Sequence, residues 1–207
     1  MIIKIGNVKI GGDGIVVIAE AGVNHLGKME YAEELIRTAA RAGADIIKFQ
    51  TYKADKLSTK NAPRFWSWKG ESKVDGSQHD SYSQLDSFEK EQYAELIKLC
   101  HKYGIEFLST PFDYESVDML VDLGMRAFKI ASCDLTNIPF LKYIAKKNLP
   151  MLISTGAADI NEIMKATQAI ESEGNDQICI MHCTLCYPTE VKDSNLSALL
   201  DIKKHFP

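Results

Sequence analysis

Short runs rich in β-branched residues alternate along this chain with longer amphipathic stretches, and that alternation restricts it to βα units feeding a parallel sheet. The runs are Ile15 to Glu20, Asp45 to Gln50, Ile105 to Thr110, Ala127 to Ser132, Pro150 to Ser154 and Ile178 to Cys183, six strands in all. The stretches between them carry helical spacing. In "KMEYAEELIRTAARAG" (28–43), Tyr31, Leu35, Ala39 and Ala42 recur at three- or four-residue steps, and Gly43 can end the helix. Similar patterns cover 88–103, 115–123, 137–147, 160–173 and 196–205. The opening "IIKIGNVKI" places a Gly-Asn turn between two short alternating strands, which predicts a hairpin outside the main sheet, set to plug the bottom of a barrel.

One segment breaks the rhythm. Residues 52–85 are long, polar and aromatic without a clear period, and a loop of that length in a compact domain is usually a functional lid or an insertion. A lid is the favoured reading, with Trp66, Trp68 and Tyr82 giving it something to pack; a surface insertion is the alternative.

Composition limits the partners. A length of 207 residues with 45% hydrophobic content allows one large domain or two small ones with a packed core. A net charge of −4 and the absence of a long Lys/Arg block argue against nucleic acid. No apolar run approaches the roughly 20 residues that span a bilayer, and "MIIKIGNVKIGG" lacks the apolar core of a signal peptide, so a cytoplasmic protein is expected. Five cysteines suit free thiols in a reducing compartment. Cys183 and Cys186 form one C-x-x-C; small core-facing thiols are favoured over half a zinc site, because no second pair exists.

Polar residues recur at the C-terminal end of each apolar run: Glu20, Lys48 with Gln50, Ser109 with Thr110, Lys129 with Ser132, Ser154 with Thr155, and His182 with Thr184. In a βα barrel those ends converge on the face that holds the active site. Lys48 ("DIIKFQ") and Lys129 ("AFKIAS") sit within otherwise buried runs, where an ammonium is costly unless an anion pairs with it. Together with the hydroxyls of Thr110, Ser132 and Ser154, the two lysines predict a site for a phosphate or carboxylate. The alternative for each lysine is an internal salt bridge to an acid such as Glu20 or Asp134.

Over "IAEAGVNHLGKMEYAEELIRTAARAGADIIKFQTYKADKL", and on through "FLSTPFD", "FKIASCDLTN", "ISTG" and "MHCTLCYPT", the chain closely resembles the N-acetylneuraminate (sialic acid) synthase family, in the same order along essentially its whole length. The resemblance implies a TIM-type (β/α)8 barrel, here incomplete with about six βα units plus the N-terminal hairpin. It also implies a transferase that condenses phosphoenolpyruvate with an open-chain N-acyl hexosamine, forming a nonulosonic acid and releasing phosphate. Lys48, Lys129, Thr110, Ser132 and Ser154 would then cradle the enolpyruvate anion. Glu20 and Gln50 would hold the amino sugar with Tyr187 beside it, Asp134 would lie near the reacting carbons, and Asn24 and His25 would shape the sugar end. A divalent metal, Mn2+ or Mg2+, would polarise the sugar aldehyde, and the full-length form would be a homodimer.

Two departures stand out. Leu185 occupies the position after Cys-Thr where the family commonly has asparagine. The family also continues past the end of this sequence into a seventh strand with a Ser-Asp-His motif, an eighth with a second histidine, and a C-terminal antifreeze-like domain. The family's metal-ligating histidines therefore lie beyond residue 207, no metal ligand is expected here, and the chain reads as one incomplete barrel domain with little activity alone. A complete barrel takes about 250 residues. The alternatives are a Schiff-base sugar-acid aldolase using Lys129 and a non-catalytic barrel that binds ligand or partner.

Overall fold

A computed structural model describes residues 2–64, 66, 76–85 and 88–206. The chain opens with an antiparallel hairpin, β1 (Ile3–Ile5) and β2 (Val8–Ile10), with Ile3 opposite Ile10 and Ile5 opposite Val8. The main sheet then runs through β3 (Ile18–Gly22), β4 (Ile46–Thr51), β5 (Glu106–Pro111), β6 (Phe128–Ile130), β7 (Met151–Ser154) and β8 (Ile178–Met181). All neighbours pair in parallel and in sequence order. The crossovers carry α1 (Met29–Arg41), α2 (Ala54–Leu57), α3 (Gln78–Leu85), α4 (Lys90–Tyr103), α5 (Tyr114–Asp122), α6 (Ile138–Ala145) and α7 (Ile160–Glu171), and α8 (Ala198–His205) follows β8. This is a (β/α)8-type barrel with six of its βα units. Among the described residues β3 and β8 have no partner on their outer edges.

Side chains alternate across each strand, as the pleat requires. Ile47, Phe49, Phe107, Phe128, Ile130, Met151 and Ile153 point outward into a core shared with the helices. Ile46, Leu108 and Leu152 point inward and meet Ile3 and Ile5 of the hairpin, with Val8, Ile10 and Ile18 packed around them. The hairpin therefore closes the N-terminal end of the barrel, as its sequence pattern predicts. Its turn lies so close to the Glu106–Arg126 ion pair (3.3 Å) that a Cβ on Gly6, whose φ is +57°, would overlap both side chains. Apolar burial of this kind contributes about 25 cal/mol per Å2 and makes the plug adhere.

Several boundaries differ from the sequence reading. The first main strand begins at Ile18 rather than Ile15, because Ile15 is 89% exposed and strand pairing with β4 starts at Ile18 opposite Ile46. The sixth βα unit's strand ends at Met181 and the fourth's spans only Phe128–Ile130, since backbone pairing ends there. On α1 the buried stripe is Ala32, Ile36 and Ala39. Of the predicted stripe, Ala39 is buried and Leu35 packs against the core, whereas Ala42 is exposed and Tyr31 is 46% exposed, with Lys28 Nζ 4.9 Å from its ring centroid, so the buried face is rotated toward Ala32 and Ile36. Segment 52–85 contains two helices that periodicity did not reveal, both short and polar. His79 Nε2 meets Asp55 Oδ1 at 2.9 Å and ties α3 to α2; Tyr52, Tyr82 and Trp66 form an aromatic chain at 5.7 Å steps. Trp68 lies outside the described residues.

Candidate active site

The C-terminal ends of the strands surround a cleft of about 560 Å3. Glu20 of β3, Lys48 and Gln50 of β4, Thr110 of β5, Lys129 of β6, Ser132 just beyond it, Ser154 of β7 and Tyr187 after β8 all line it. Strand pleating explains the convergence: Glu20, Lys48, Thr110, Lys129 and Ser154 occupy inward positions one layer above the apolar plug. Asp134 does not line the cleft. It sits on a 3-10 turn (Ser132–Asp134) behind Cys133, whose Sγ lies 3.8 Å from its carboxylate, and burial pushes its carboxyl pKa up. Tyr187 is 93% exposed and stands at the rim.

The two lysines differ in their surroundings. Lys48 Nζ forms an ion pair with Glu20 at 2.7 Å and approaches Thr110 Oγ1 at 3.4 Å, so the internal salt bridge is realised here. Lys129 is 8% exposed and has neutral partners: Nζ donates to the Ile130 carbonyl at 3.0 Å and to Ser154 Oγ. Among the described residues no ion pair involves Lys129. Burial, and secondarily the Lys48 charge, lowers its pKa to about 8. Ser154 Oγ also accepts from the Cys183 thiol at 3.2 Å. A cation held among neutral dipoles in a cleft is a ready site for an anionic ligand.

Leu185, which departs from the family's asparagine after Cys-Thr, lines the cleft; sequence reasoning missed Phe112, Cys133, Gly156 and Cys183, which line it too. Phe112 looks like an ordinary apolar position, and only loop geometry brings it inward. The C-x-x-C thiols are not core-facing: Cys183 lines the cleft, and Cys186 is exposed with Sγ 3.4 Å from the Pro188 carbonyl. Gly156, at φ +38°, lies against Ser132 so closely that a Cβ would overlap Ser132 Cβ and Oγ. Gly156→Ala is expected to displace Ser132 and strain the backbone by about 1–3 kcal/mol; a fall in melting temperature together with weakened anion binding would register both effects.

His25 is buried at 3% exposure, outside the main cleft, in a small space shared with Gln50, Tyr52, Phe88 and Tyr93; Asn24 beside it is exposed. Its ring stacks on Phe88 with centroids 4.2 Å apart, and Nδ1 accepts from the Gly27 N–H at 3.1 Å. The acceptor role fixes Nδ1 as unprotonated. Burial lowers the His25 pKa from 6.5 to about 4. The unfolded chain therefore takes up this proton near pH 6.5 while the folded chain does not until about pH 4. Stability is expected to fall across that window by about 3 kcal/mol and level off below it. Urea midpoints at pH 7 and pH 4.5 check this, with His25→Leu flattening the difference.

Among the described residues no group of three or more His, Cys, Asp or Glu side chains could hold a metal ion. The cleft offers Glu20, already engaged by Lys48, and the thiols of Cys133 and Cys183. That donor set does not fit a hard divalent cation such as Mg2+ or Mn2+. No helix among the described residues is long and apolar enough to cross a membrane.

The fold and cleft define an α/β barrel with a lysine-bearing cleft at its C-terminal strand ends. The chain belongs to the NeuB family, whose model matches residues 35–207. It is 38% identical over 209 residues to the N,N'-diacetyllegionaminic acid synthase of Legionella pneumophila, covering 98% of this chain and 58% of that protein. To the spore coat polysaccharide biosynthesis protein SpsE of Bacillus subtilis it is 39% identical over 207 residues, covering 99% and 54%. A crystal structure of the N-acetylneuraminic acid (sialic acid) synthetase of Leptospira borgpetersenii, in complex with citrate, superposes with a TM-score of 0.85 at 34% identity, covering 100% of this chain and 67% of that one. The chain thus spans a little over half the length of the curated relatives it matches.

Proposed function

We propose that this chain builds the phosphoenolpyruvate-binding part of a nonulosonic acid synthase, an enzyme that condenses phosphoenolpyruvate with an N-acyl hexosamine and releases phosphate. The observation that carries the reading is Lys129, an almost fully buried ammonium in the cleft wall whose partners among the described residues are neutral. Membership in the NeuB family and the names of its relatives support the same chemistry.

In this reading Lys129, Ser154, Ser132 and Thr110 hold the phosphate and carboxylate of phosphoenolpyruvate. Lys48 is shared between that anion and Glu20, and its ion pair fixes the Glu20 carboxylate to accept from a sugar hydroxyl. The main chain of Gln50 is held from behind, since Tyr93 Oη donates to its backbone carbonyl at 2.8 Å, and the side-chain amide is presented to the amino sugar. Tyr187 closes the rim. C3 of the enolpyruvate attacks the sugar aldehyde carbon, water adds at C2, and phosphate leaves. Asp134 acts on the reacting carbons only if the 3-10 turn shifts it past Cys133. The metal of the reaction takes its ligands from groups other than the described residues. The working form is a cytoplasmic homodimer that binds neither nucleic acid nor membrane.

The reading is tested by incubating the 207-residue chain with phosphoenolpyruvate, an N-acyl hexosamine and Mn2+, and following phosphate and sugar acid. Binding of phosphoenolpyruvate with little or no turnover is expected. Full turnover by this chain would contradict the placing of the metal ligands elsewhere, and absence of phosphoenolpyruvate binding would contradict the site itself.

A further inference from the structure

Lys129 Nζ is unusual in how its hydrogens are spent. Among the described residues it donates to two acceptors, the Ile130 carbonyl at 3.0 Å and Ser154 Oγ. Those acceptors engage two of the three hydrogens of the ammonium, so loss of the third proton would keep both hydrogen bonds and free the nitrogen lone pair. The residue is 8% exposed yet lines the cleft. The second cationic side chain of that cleft, Lys48, is close enough to disfavour the charge on Lys129, and desolvation acts in the same direction. An amine desolvated beside another cation is the arrangement that turns lysine into a nucleophile toward carbonyls. Thr110, Ser132 and Lys48 stand around the same space and can hold a carboxylate.

We propose that Lys129 is also a covalent capture site for 2-oxo carboxylic acids, forming a reversible imine with the carbonyl carbon next to the bound carboxylate. The step balances without a further reactant. The Nζ lone pair forms the C–N bond, the carbonyl C–O bond breaks, and the oxygen leaves as water with the two amine hydrogens. No carbon–carbon bond is cleaved, so the capture is distinct from aldolase turnover. The proposal rests on the anion-binding reading of the cleft and deepens it. The nonulosonic acid formed in that reading is itself a 2-oxo acid, so the imine would hold product, or pyruvate, against the next phosphoenolpyruvate.

Its place in the cleft beside Thr110, Ser132 and Lys48, and its larger free-base fraction, put the adduct at Lys129 rather than at a surface lysine. At pH 7 an amine of pKa about 8 has roughly a hundredfold more free base than an ordinary lysine. The partial loss of nucleophilicity that accompanies a lower pKa leaves a net preference of roughly tenfold or more. Cys133 and Cys183 line the same cleft, but a thiol addition to the carbonyl reverses on work-up and leaves no reduced adduct.

The experiment is to incubate the full 207-residue chain with pyruvate, reduce with borohydride, and map the modified peptide by mass spectrometry. A single reduced-pyruvate mass gain at Lys129, at least about tenfold above any other lysine and suppressed by excess phosphoenolpyruvate, is the expected result. Mapping in the unaltered protein removes reliance on a variant; Lys129→Met should lose the adduct, and its circular dichroism shows whether it folds. If phosphoenolpyruvate stabilises the protein but pyruvate labels Lys129 no more than the surface lysines, the capture proposal is overturned and the anion site stands. If phosphoenolpyruvate neither binds nor protects, the anion-binding reading fails as well, and with it the premise of capture.

Discussion

Replacing Lys129 with alanine is expected to weaken phosphoenolpyruvate binding by roughly 30- to 5,000-fold, the equivalent of about 2–5 kcal/mol for truncating one partner of a buried charge pair. The wild-type protein should show a matching pH dependence. Burial, then the neighbouring Lys48, lowers the Lys129 pKa to about 8. The cation is therefore present below pH 8 and lost above it, so affinity for the anion should fall as pH rises through about 8. The groups facing Lys129 are Lys48, Glu20, Cys183 and Cys133. Lys48 and Glu20 are paired with each other, and burial pushes the Cys133 thiol up to about 11; Cys183→Ser removes the remaining thiol that faces Lys129, and the pH window should persist in that variant. The ligand-free protein should behave in the opposite sense. Between about pH 8 and the ordinary lysine value near 10.4, the unfolded chain binds more protons than the folded chain, so stability rises with pH. Calorimetric titrations with phosphoenolpyruvate from pH 7 to 9.5 read the first effect; a pH-independent affinity would argue against Lys129 as the anion's partner.

The second large effect is on stability. Phe128 is fully buried, the first residue of the three-residue strand β6 and the neighbour of Lys129 in sequence. Its ring fills the layer between the sheet and the helices, within the same cluster as Leu120, Leu135, Leu141 and Ile153. Phe128→Ala is expected to cost about 3–5 kcal/mol, as a transfer loss plus a cavity that neighbouring side chains only partly fill. By contrast, Leu200, 66% exposed, should tolerate alanine within about 0.5 kcal/mol. Denaturant midpoints for the two variants make the comparison directly. Because β6 pairs with β5 through Ser109–Phe128 and with β7 along its length, loss of the Phe128 ring should also weaken anion binding through Lys129.

Much of the architecture was legible because β-branched runs and helical spacing report packing that local chemistry controls. The six main strands and the plugging hairpin follow from that, and so does the convergence of Glu20, Lys48, Gln50, Thr110, Lys129, Ser132, Ser154 and Tyr187, since strand pleating and a shared direction bring such positions to one end. What stayed hidden depends on contacts between elements distant in sequence. The rotation of α1 is set by packing against α4 and the sheet, which Tyr31 and Leu35 cannot reveal by spacing alone. The helices α2 and α3 are held by an Asp55–His79 contact and by an edge-to-face Tyr52–Tyr82 contact rather than by an apolar stripe. Asp134 was expected near the chemistry, but the direction of a side chain on a 3-10 turn is fixed only by its neighbours. Which lysine would find an acid was likewise open in the sequence; β3–β4 pairing sets Glu20 against Lys48 and leaves Lys129 among neutral groups.

These six strands alone are expected to form an anion site centred on Lys129. Thermal-shift titration of the 207-residue chain with phosphoenolpyruvate tests it most directly, because a ligand at 100 times its dissociation constant adds about 2.7 kcal/mol of stability. A saturable rise in melting temperature that disappears in Lys129→Ala is expected; an unchanged melting temperature across the titration would rule out such a site.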